Sequence, residues 1–218
     1  MKTSKAEIVR EYGPFAGVEQ VNGVTFDGQN VWFASGEKLH AFDPASGETL
    51  RSVDAASHAG SAFDGRYLYQ LADNRIQKID PETGAILATI PAPDTEGGNS
   101  GLAWAEGSLW AGHYRGRKIH QIDPETGEIL RTIESSRFVT GVTWVDGELW
   151  HGTWDDDQSD VRRIDPNTGD VLEVLEMPDG AGVSGLESDG QERFYCGGGG
   201  AGVVRAIRRP GREVKALG

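Results

Sequence analysis

Residues 101–133, GLAWAEGSLWAGHYRGRKIHQIDPETGEILRTI, read as four short β-strands (GLAWA, SLWAGH, KIHQID and EILRTI) joined by turns. Apolar residues recur at strand spacing, and Gly or Asp-Pro-x-x-Gly punctuates each run. The stretch is repeated along the chain. GVTFDGQNVWFASGEKLHAFDPASGETLRSV starts at Gly23, GSAFDGRYLYQLADNRIQKIDPETGAILATI at Gly60, and GVTWVDGELWHGTWDDDQSDVRRIDPNTGDVLEVL at Gly141. A degenerate copy, GLESDGQERFYCGGGGAGVVRAIRRPGREVKAL, starts at Gly185. Successive starts lie 37, 41, 40 and 44 residues apart. Four-stranded repeats of about 40 residues are the signature of propeller blades. The expected fold is therefore all-β: a five-bladed β-propeller of four-stranded antiparallel blades, one domain over residues 1–218.

The ends of the chain bear on how such a ring closes. Residues 1–4 read as a frayed end. AEIVREY, residues 6–12, resembles the fourth-strand segments ETLRSVD, EILRTIE and DVLEVLE and precedes the first repeat as those precede theirs. This predicts closure by strand exchange, with residues 6–12 outermost on the blade whose inner strands come from residues 183–209. Such a strand covers an open edge and ties the two ends together. REVKAL, after Pro210-Gly211, competes for the same ladder position.

Composition narrows the function. The chain carries 34 acidic and 21 basic residues, a net charge of −13. That argues against nucleic acid or an anionic membrane as the main partner, and suits a cationic or neutral ligand. A single cysteine forms no internal disulfide, which favours a cytoplasmic protein. MKTSKAEIVREYG lacks the apolar stretch of a signal peptide, and no run approaches membrane-spanning length. The expectation is a soluble, unexported protein; composition does not fix its oligomeric state.

Repeats allow comparison within one chain. Features kept in every blade serve folding. Asp43-Pro44, Asp80-Pro81, Asp123-Pro124 and Asp165-Pro166 open the turn between strands three and four, and Gly47, Gly84, Gly127 and Gly169 close it. Trp32, Tyr69, Trp110, Trp150 and Phe194 lie nine residues after each starting glycine and read as rings packed between blades. His40 and His120 share a third-strand position with Gln77 and Arg162. That mixture reads as a solvated strand face rather than a ligand site.

Where blades differ in polar residues, the repeat does not dictate the choice. One such place is the lead-in to each first strand: Glu19-Gln20-Val21-Asn22, Ser57-His58-Ala59, Gly98-Asn99-Ser100, Phe138-Val139-Thr140 and Gly182-Val183-Ser184. The other is the exit of each second strand: Ser35, Ala72-Asp73, His113-Tyr114-Arg115, Thr153 to Asp157 and Gly197 to Gly199. In a four-stranded meander both lie at one end of the blades, so they share one face of the disc. Irregular chemistry on a rigid scaffold is where sites are built.

His113 stands where other blades have Ser35, Ala72 and Thr153; as a proton carrier near neutral pH it is the leading acid/base candidate. His58 is a second candidate, facing it across the channel. His151, two residues before Thr153 and roughly 6–7 Å deeper along the strand, is a further candidate to contact substrate. Trp154 with Asp155, Asp156 and Asp157 would hold a cationic or amine-bearing ligand by ring face and charge, or Ca²⁺ with backbone carbonyls. Tyr114 and Arg115 would wall the site, and Asn22, Asn99, Ser100 and Thr140 would supply hydrogen bonds. There is no H-E-x-x-H, C-x-x-C or EF-hand pattern. Cys196 aligns with Ala34, Leu71, Gly112 and Gly152 and reads as a buried structural thiol. GGGGAG lacks the Gly-Lys-Ser/Thr of a phosphate loop, and no G-x-S-x-G elbow is present.

LAWAEGSLWAGHYRGRKIHQIDPETGEIL and VTWVDGELWHGTW…VRRIDPNTGDVLEVL resemble the blades of plant-type glutaminyl cyclases. That resemblance implies a five-bladed propeller cyclising N-terminal glutamine with loss of ammonia. It also implies a central metal ion at the channel mouth; the expected cofactor is a divalent metal, Ca²⁺ or Zn²⁺, in the central channel. The W…G…I..IDP.TG pattern is also similar to virginiamycin B lyase and gluconolactonase-like propellers. The family's Phe-Thr-Gln-Gly-Leu opening stands here as Val21-Asn22-Gly23-Val24. The acidic residue of its Leu-Glu-Tyr/Trp strand is Ala103 in one blade and Thr143 in another, and is matched at Glu187.

Two functions follow. The first is a cyclotransferase- or lyase-like enzyme acting on a small amine- or amide-bearing molecule or a peptide N-terminus. In it His113, His58 and Asp155 do the chemistry, and Asp156 orients the amine. The second is a non-catalytic module binding a peptide or protein partner on the same face. A pocket in which histidines and carboxylates converge would favour the enzyme; an aromatic rim would favour the binder.

Overall fold

The computed structural model describes residues 1–94 and 96–211. Among them the chain forms five antiparallel sheets arranged as a propeller, with no helix. Blade one contains Val24–Phe26, Val31–Ser35, Lys38–Phe42 and Thr49–Asp54, and blade two Ser61–Phe63, Leu68–Ala72, Arg75–Ile79 and Ile86–Pro91. Blade three contains Asn99–Ala105, Ser108–His113, Lys118–Ile122 and Ile129–Glu134. Phe138–Val145, Glu148–Trp154, Asp160–Ile164 and Val171–Glu176 make blade four. Leu186–Ser188, Arg193–Gly197 and Val204–Arg208 make the inner part of blade five.

Ile8–Tyr12 is the outermost strand of blade five, antiparallel to Val204–Arg208. The N-terminal strand therefore closes the ring. REVKAL lies outside the described residues. Tyr12 carries this closure into blade one: its ring lies 4.7 Å from that of Phe42, and its hydroxyl donates to the Pro44 carbonyl at 2.9 Å.

Residues 1–4 are not frayed. Lys2–Lys5 pairs in parallel with Val171–Glu176, giving blade four a fifth strand. Its address is written in charge. Lys2 meets Glu173 at 3.4 Å and Lys5 meets Glu176 at 2.7 Å. The Glu173 position is Arg51, Ala88 and Arg131 in blades one to three, so blade four offers Lys2 the carboxylate that they lack.

The turn chemistry operates as its residues dictate. Asp43, Asp80, Asp123 and Asp165 each accept a backbone N–H two residues on, from Ala45, Glu82, Glu125 and Asn167. These bonds hold the Asp43 and Asp80 carboxyls below their ordinary pKa, and the Thr126 N–H, ahead of that of Glu125, does the same for Asp123. Each closing glycine has φ between +74° and +85°, the left-handed region that glycine enters without a Cβ clash.

The starting glycines have a different task. A methyl group on Gly23, Gly60, Gly101, Gly141 or Gly185 would fall within 3 Å of the backbone nitrogen of Ser61, Leu102, Val142, Leu186 or Val24 respectively. Each contact runs to the next blade, and the last returns to the first. Five first strands thus pack backbone against backbone in a ring, forming a narrow waist around the axis.

The aromatic series holds in four blades and shifts by one in the fifth. Trp32, Tyr69, Trp110 and Trp150 lie opposite Thr25, Ala62, Ala103 and Thr143. In blade five the equivalent pair is Glu187 and Tyr195, not Phe194. The cause is one extra residue in the turn: Asp189 N–H bonds to the Arg193 carbonyl, where Asp27 N–H bonds to that of Asn30. Phe194 and Tyr195 are both buried. The same slip makes Cys196 equivalent to Phe33, Gln70, Ala111 and His151 rather than to Ala34, Leu71, Gly112 and Gly152.

The third-strand histidines also differ from expectation. His120 is buried with Nδ1 2.8 Å from Thr132 Oγ1, and His40 is half-buried with its ring stacked 5.0 Å from Phe33. Burial lowers both pKa values. Both rings pack against strands of their own blades.

Candidate functional site

The lead-ins of blades four and five and the second-strand exits of blades three, four and five meet in a pocket of about 340 Å³. Tyr114 and Trp154 line it with Thr140, Val183, Ser184, the Gly180 and Gly182 backbone and the Gly198–Ala201 tip. Trp154 is held by close approach to Gly182, where a methyl would lie 3.0 Å from the indole ring. Tyr114 stacks on Phe138 at 4.9 Å, and the Arg117 guanidinium covers the other ring at 4.5 Å. Among the described residues no Asp, Glu, Lys, Arg or His lines this pocket.

The residues immediately before the waist glycines show a second pattern. Ser100 donates to the Val139 carbonyl of blade four at 2.8 Å, and Ser184 donates to the Val21 carbonyl of blade one. Asn22 donates to the Ser57 carbonyl of blade two at 3.3 Å. Blade two has Ala59 at this place. Thr140, only 8% exposed, breaks the series: among the described residues its hydroxyl has no hydrogen-bond partner.

The charged candidates lie elsewhere. His113 Nε2 is 2.9 Å from Asp94 Oδ2, half-buried within the lip of blade three. Asn99 serves that lip rather than the pocket, bonding Asp94 N–H and C=O through its carboxamide at 3.2 and 2.7 Å. His58 sits between Asp73 and Glu37, 3.1 Å from each, across the junction of blades one and two. The two histidines are thus engaged by separate carboxylates, and neither lines the pocket. Arg115 is exposed. Asp155 closes a tight turn with Gln158, its carboxylate 3.7 Å from Arg137; Asp156, at φ +50°, follows in that turn. Neither lines the pocket.

His151 was expected to reach substrate and does not. It is fully buried in blade four, with Nδ1 bonded to the Gly152 carbonyl at 3.0 Å and Nε2 without a partner. Burial pushes its pKa down to about 4. Cys196 is buried too, and loss of solvent pushes its thiol up to about 12. It is no nucleophile at neutral pH.

Glu187 is the titratable group that repeat comparison overlooked. It stands two residues beyond the Gly185 waist, level with Thr25, Ala62, Ala103 and Thr143. Thr143 donates to Oε1 at 2.5 Å, Ser188 N–H to the same oxygen at 2.8 Å, and Thr25 to Oε2 at 3.0 Å. Withdrawal from solvent outweighs these bonds and pushes its pKa up to about 7. The signal lay in the ring itself: four small residues and one carboxyl.

The metal implied by resemblance finds no matching donor set. Among the described residues no three His, Cys, Asp or Glu side chains are placed to hold an ion. Glu187 is the sole carboxyl in its ring of five, which falls short of a Ca²⁺ or Zn²⁺ shell. Among the described residues no helix is long and apolar enough to cross a membrane.

Residues 72–214 match the profile of the family described as outer membrane protein assembly factor BamB. No curated protein matches the chain. Among solved structures, glutaminyl cyclase from Myxococcus xanthus superposes with a TM-score of 0.78 at 18% identity, covering 95% of this chain and 97% of that one. A chain of the Mitotic Checkpoint Complex gives 0.59 at 13%, covering 94% and 92%. The WD40 β-propeller domain of Doa1 gives 0.55 at 16%, covering 86% of this chain and 63% of that one.

Proposed function

Starting from a chain that belongs to the outer membrane protein assembly factor BamB family and folds as a five-bladed propeller, we propose that it binds a small molecule or a peptide end at the mouth between blades three, four and five, without catalysis there. The observation that carries this reading is the pocket's lining. Two aromatic side chains and a glycine-rich backbone offer shape and dispersion, while His113, His58 and Asp155 are engaged outside it. A cationic amine would find no counter-charge within the pocket, so an uncharged group is the better occupant. Saturation-transfer NMR with a library of neutral fragments and short peptides tests this. Ligands should appear, and Trp154→Ala should weaken them at least tenfold. Binding indifferent to Trp154→Ala would sink the reading.

A second reading is a glutaminyl cyclase-like transferase working on a small amine or amide. Glu187 favours it, because a carboxyl poised near neutrality can exchange protons at working pH. Against it, Glu187 and the aromatic pocket lie on opposite sides of the glycine waist. Ammonia release from N-terminal glutamine peptides, lost in Glu187→Gln, would favour the transferase over the binder. Cytoplasmic residence belongs to either reading, with fractionation as its check.

A further inference from the structure

Thr140 is where the lip of the channel departs from its own rule. At the junctions of blades three to four, five to one and one to two, a side chain just before the waist glycine donates to a carbonyl of the next blade. At the junction of blades four and five, Thr140 has the donor but makes no such bond. This is the junction at which the pocket opens, and Thr140 is one of its walls. A buried hydroxyl left unmatched costs stability, and native interiors seldom tolerate one without a use.

The rest of the wall defines what would take that proton. Tyr114 and Trp154 provide flat aromatic surface, and no lining side chain carries charge. A volume of about 340 Å³ accommodates one or two rings. The hydroxyl is turned toward Gly152, whose added methyl would lie 2.6 Å from it. Threonine carries a methyl and a hydroxyl on the same Cβ in staggered wells, so one rotation about χ1 would exchange its methyl for its hydroxyl at the pocket wall.

We propose that Thr140 is the specificity-determining donor of this pocket, and that its ligand is an uncharged ring compound presenting one hydrogen-bond acceptor to the Thr140 hydroxyl. This rests on the small-ligand reading of the same mouth. Ser184, its counterpart in blade five, is committed to the Val21 carbonyl and to Gly199 N–H at 3.0 Å, so Thr140 holds the free proton of the pair.

The test uses two probes of similar shape, acetophenone with a carbonyl acceptor and ethylbenzene without one. NMR titrations follow the Trp154 indole N–H, assigned through Trp154→Phe. The full chain should bind acetophenone several-fold more tightly than ethylbenzene. Thr140→Val keeps the volume and should abolish that preference, while Thr140→Ser should restore it. Equal binding of both probes by wild type, or an unchanged preference in Thr140→Val, would overturn the assignment of Thr140 and leave the pocket standing. Failure of both probes to move the Trp154 signal at millimolar concentration would overturn the two readings together. Should Thr140→Val not fold, Thr140→Ala read against Thr140→Ser decides the same point.

Discussion

Thr143 and Glu187 join neighbouring blades directly: the hydroxyl of the first, from blade four, donates to Oε1 of the second, from blade five, at 2.5 Å. Thr25 reaches Oε2 from blade one, so a single carboxyl bridges three blades around the ring's closure. Its folded-state pKa of about 7 stands above the ordinary 4.5. The folded chain therefore holds this proton more readily than the unfolded chain does. The contribution to stability is complete below about 4.5 and is lost as pH rises to about 7. Glu187→Gln, which cannot ionise, should gain on wild type across that window. Thermal melts at pH 5 and pH 8 should show the difference between the two proteins growing by several degrees, on the order of 1–3 kcal/mol. Parallel pH curves would refute this.

The glycine waist predicts an asymmetry between two alanine substitutions. In Gly141→Ala the new methyl meets Leu186 N and Gly185 C, backbone of the next blade, with no flexible side chain to yield. It should cost about 2–4 kcal/mol, as over-packing against fixed atoms does. Gly200→Ala meets nothing within 4 Å and should stay within about 0.5 kcal/mol of wild type. Urea denaturation midpoints compare them, and equal midpoints would contradict a closely packed ring.

The two N-terminal strands should be separable in energy. Lys2–Lys5 is exposed throughout and held by one parallel ladder and two ion pairs, contacts usually worth little each. Removal of residues 1–5 should lower stability by roughly 1–2 kcal/mol and leave the cooperative transition intact. Removal of residues 1–12 takes away Tyr12, 3% exposed, and opens the edge of blade five. That truncation should lose its sharp melt and aggregate through the bared strand. A cooperative, monomeric 13–218 fragment would show that closure does not depend on strand exchange.

Several of these features were legible in the chain itself. Turn aspartates, turn glycines and large rings recur because every blade must solve the same local problem, so repetition exposes them. Tyr114, Trp154 and Thr140 were legible for the opposite reason, as breaks in the pattern at one end of the blades. The slip at Tyr195 was hidden, since an inserted turn residue leaves the count from Gly185 to an aromatic unchanged when Phe194 and Tyr195 adjoin. His151 was misjudged because both faces of a propeller sheet are buried, so alternation along a strand does not separate inside from outside. His113 and His58 were separated by Asp94, Asp73 and Glu37, carboxylates whose reach depends on loop geometry rather than spacing. Glu187 showed only through family resemblance, its blade being the most degenerate.

His151 and Glu187 should act on pH stability with opposite signs. His151 has a folded-state pKa of about 4 against an ordinary 6.5, because the buried imidazole resists charge. The folded chain takes this proton less readily than the unfolded one. Its contribution is complete above about 6.5 and drains away as pH falls toward about 4. Between roughly pH 4.5 and 6.5 its slope opposes that of Glu187, each approaching about 1.4 kcal/mol per pH unit. Wild type should therefore be nearly level there as far as these two groups decide it. Gln is the natural replacement for His151, since Gln70 occupies the equivalent place in blade two and donates to the Leu71 carbonyl at 2.8 Å, as His151 does to that of Gly152. In His151→Gln the Glu187 slope should stand alone, with stability falling from pH 4.5 to 6.5; in Glu187→Gln it should rise over the same interval. The double variant should return to a flat profile. Melts of the four proteins at half-unit pH steps measure this, and slopes of the same sign in the two single variants would exclude the opposition of these two groups.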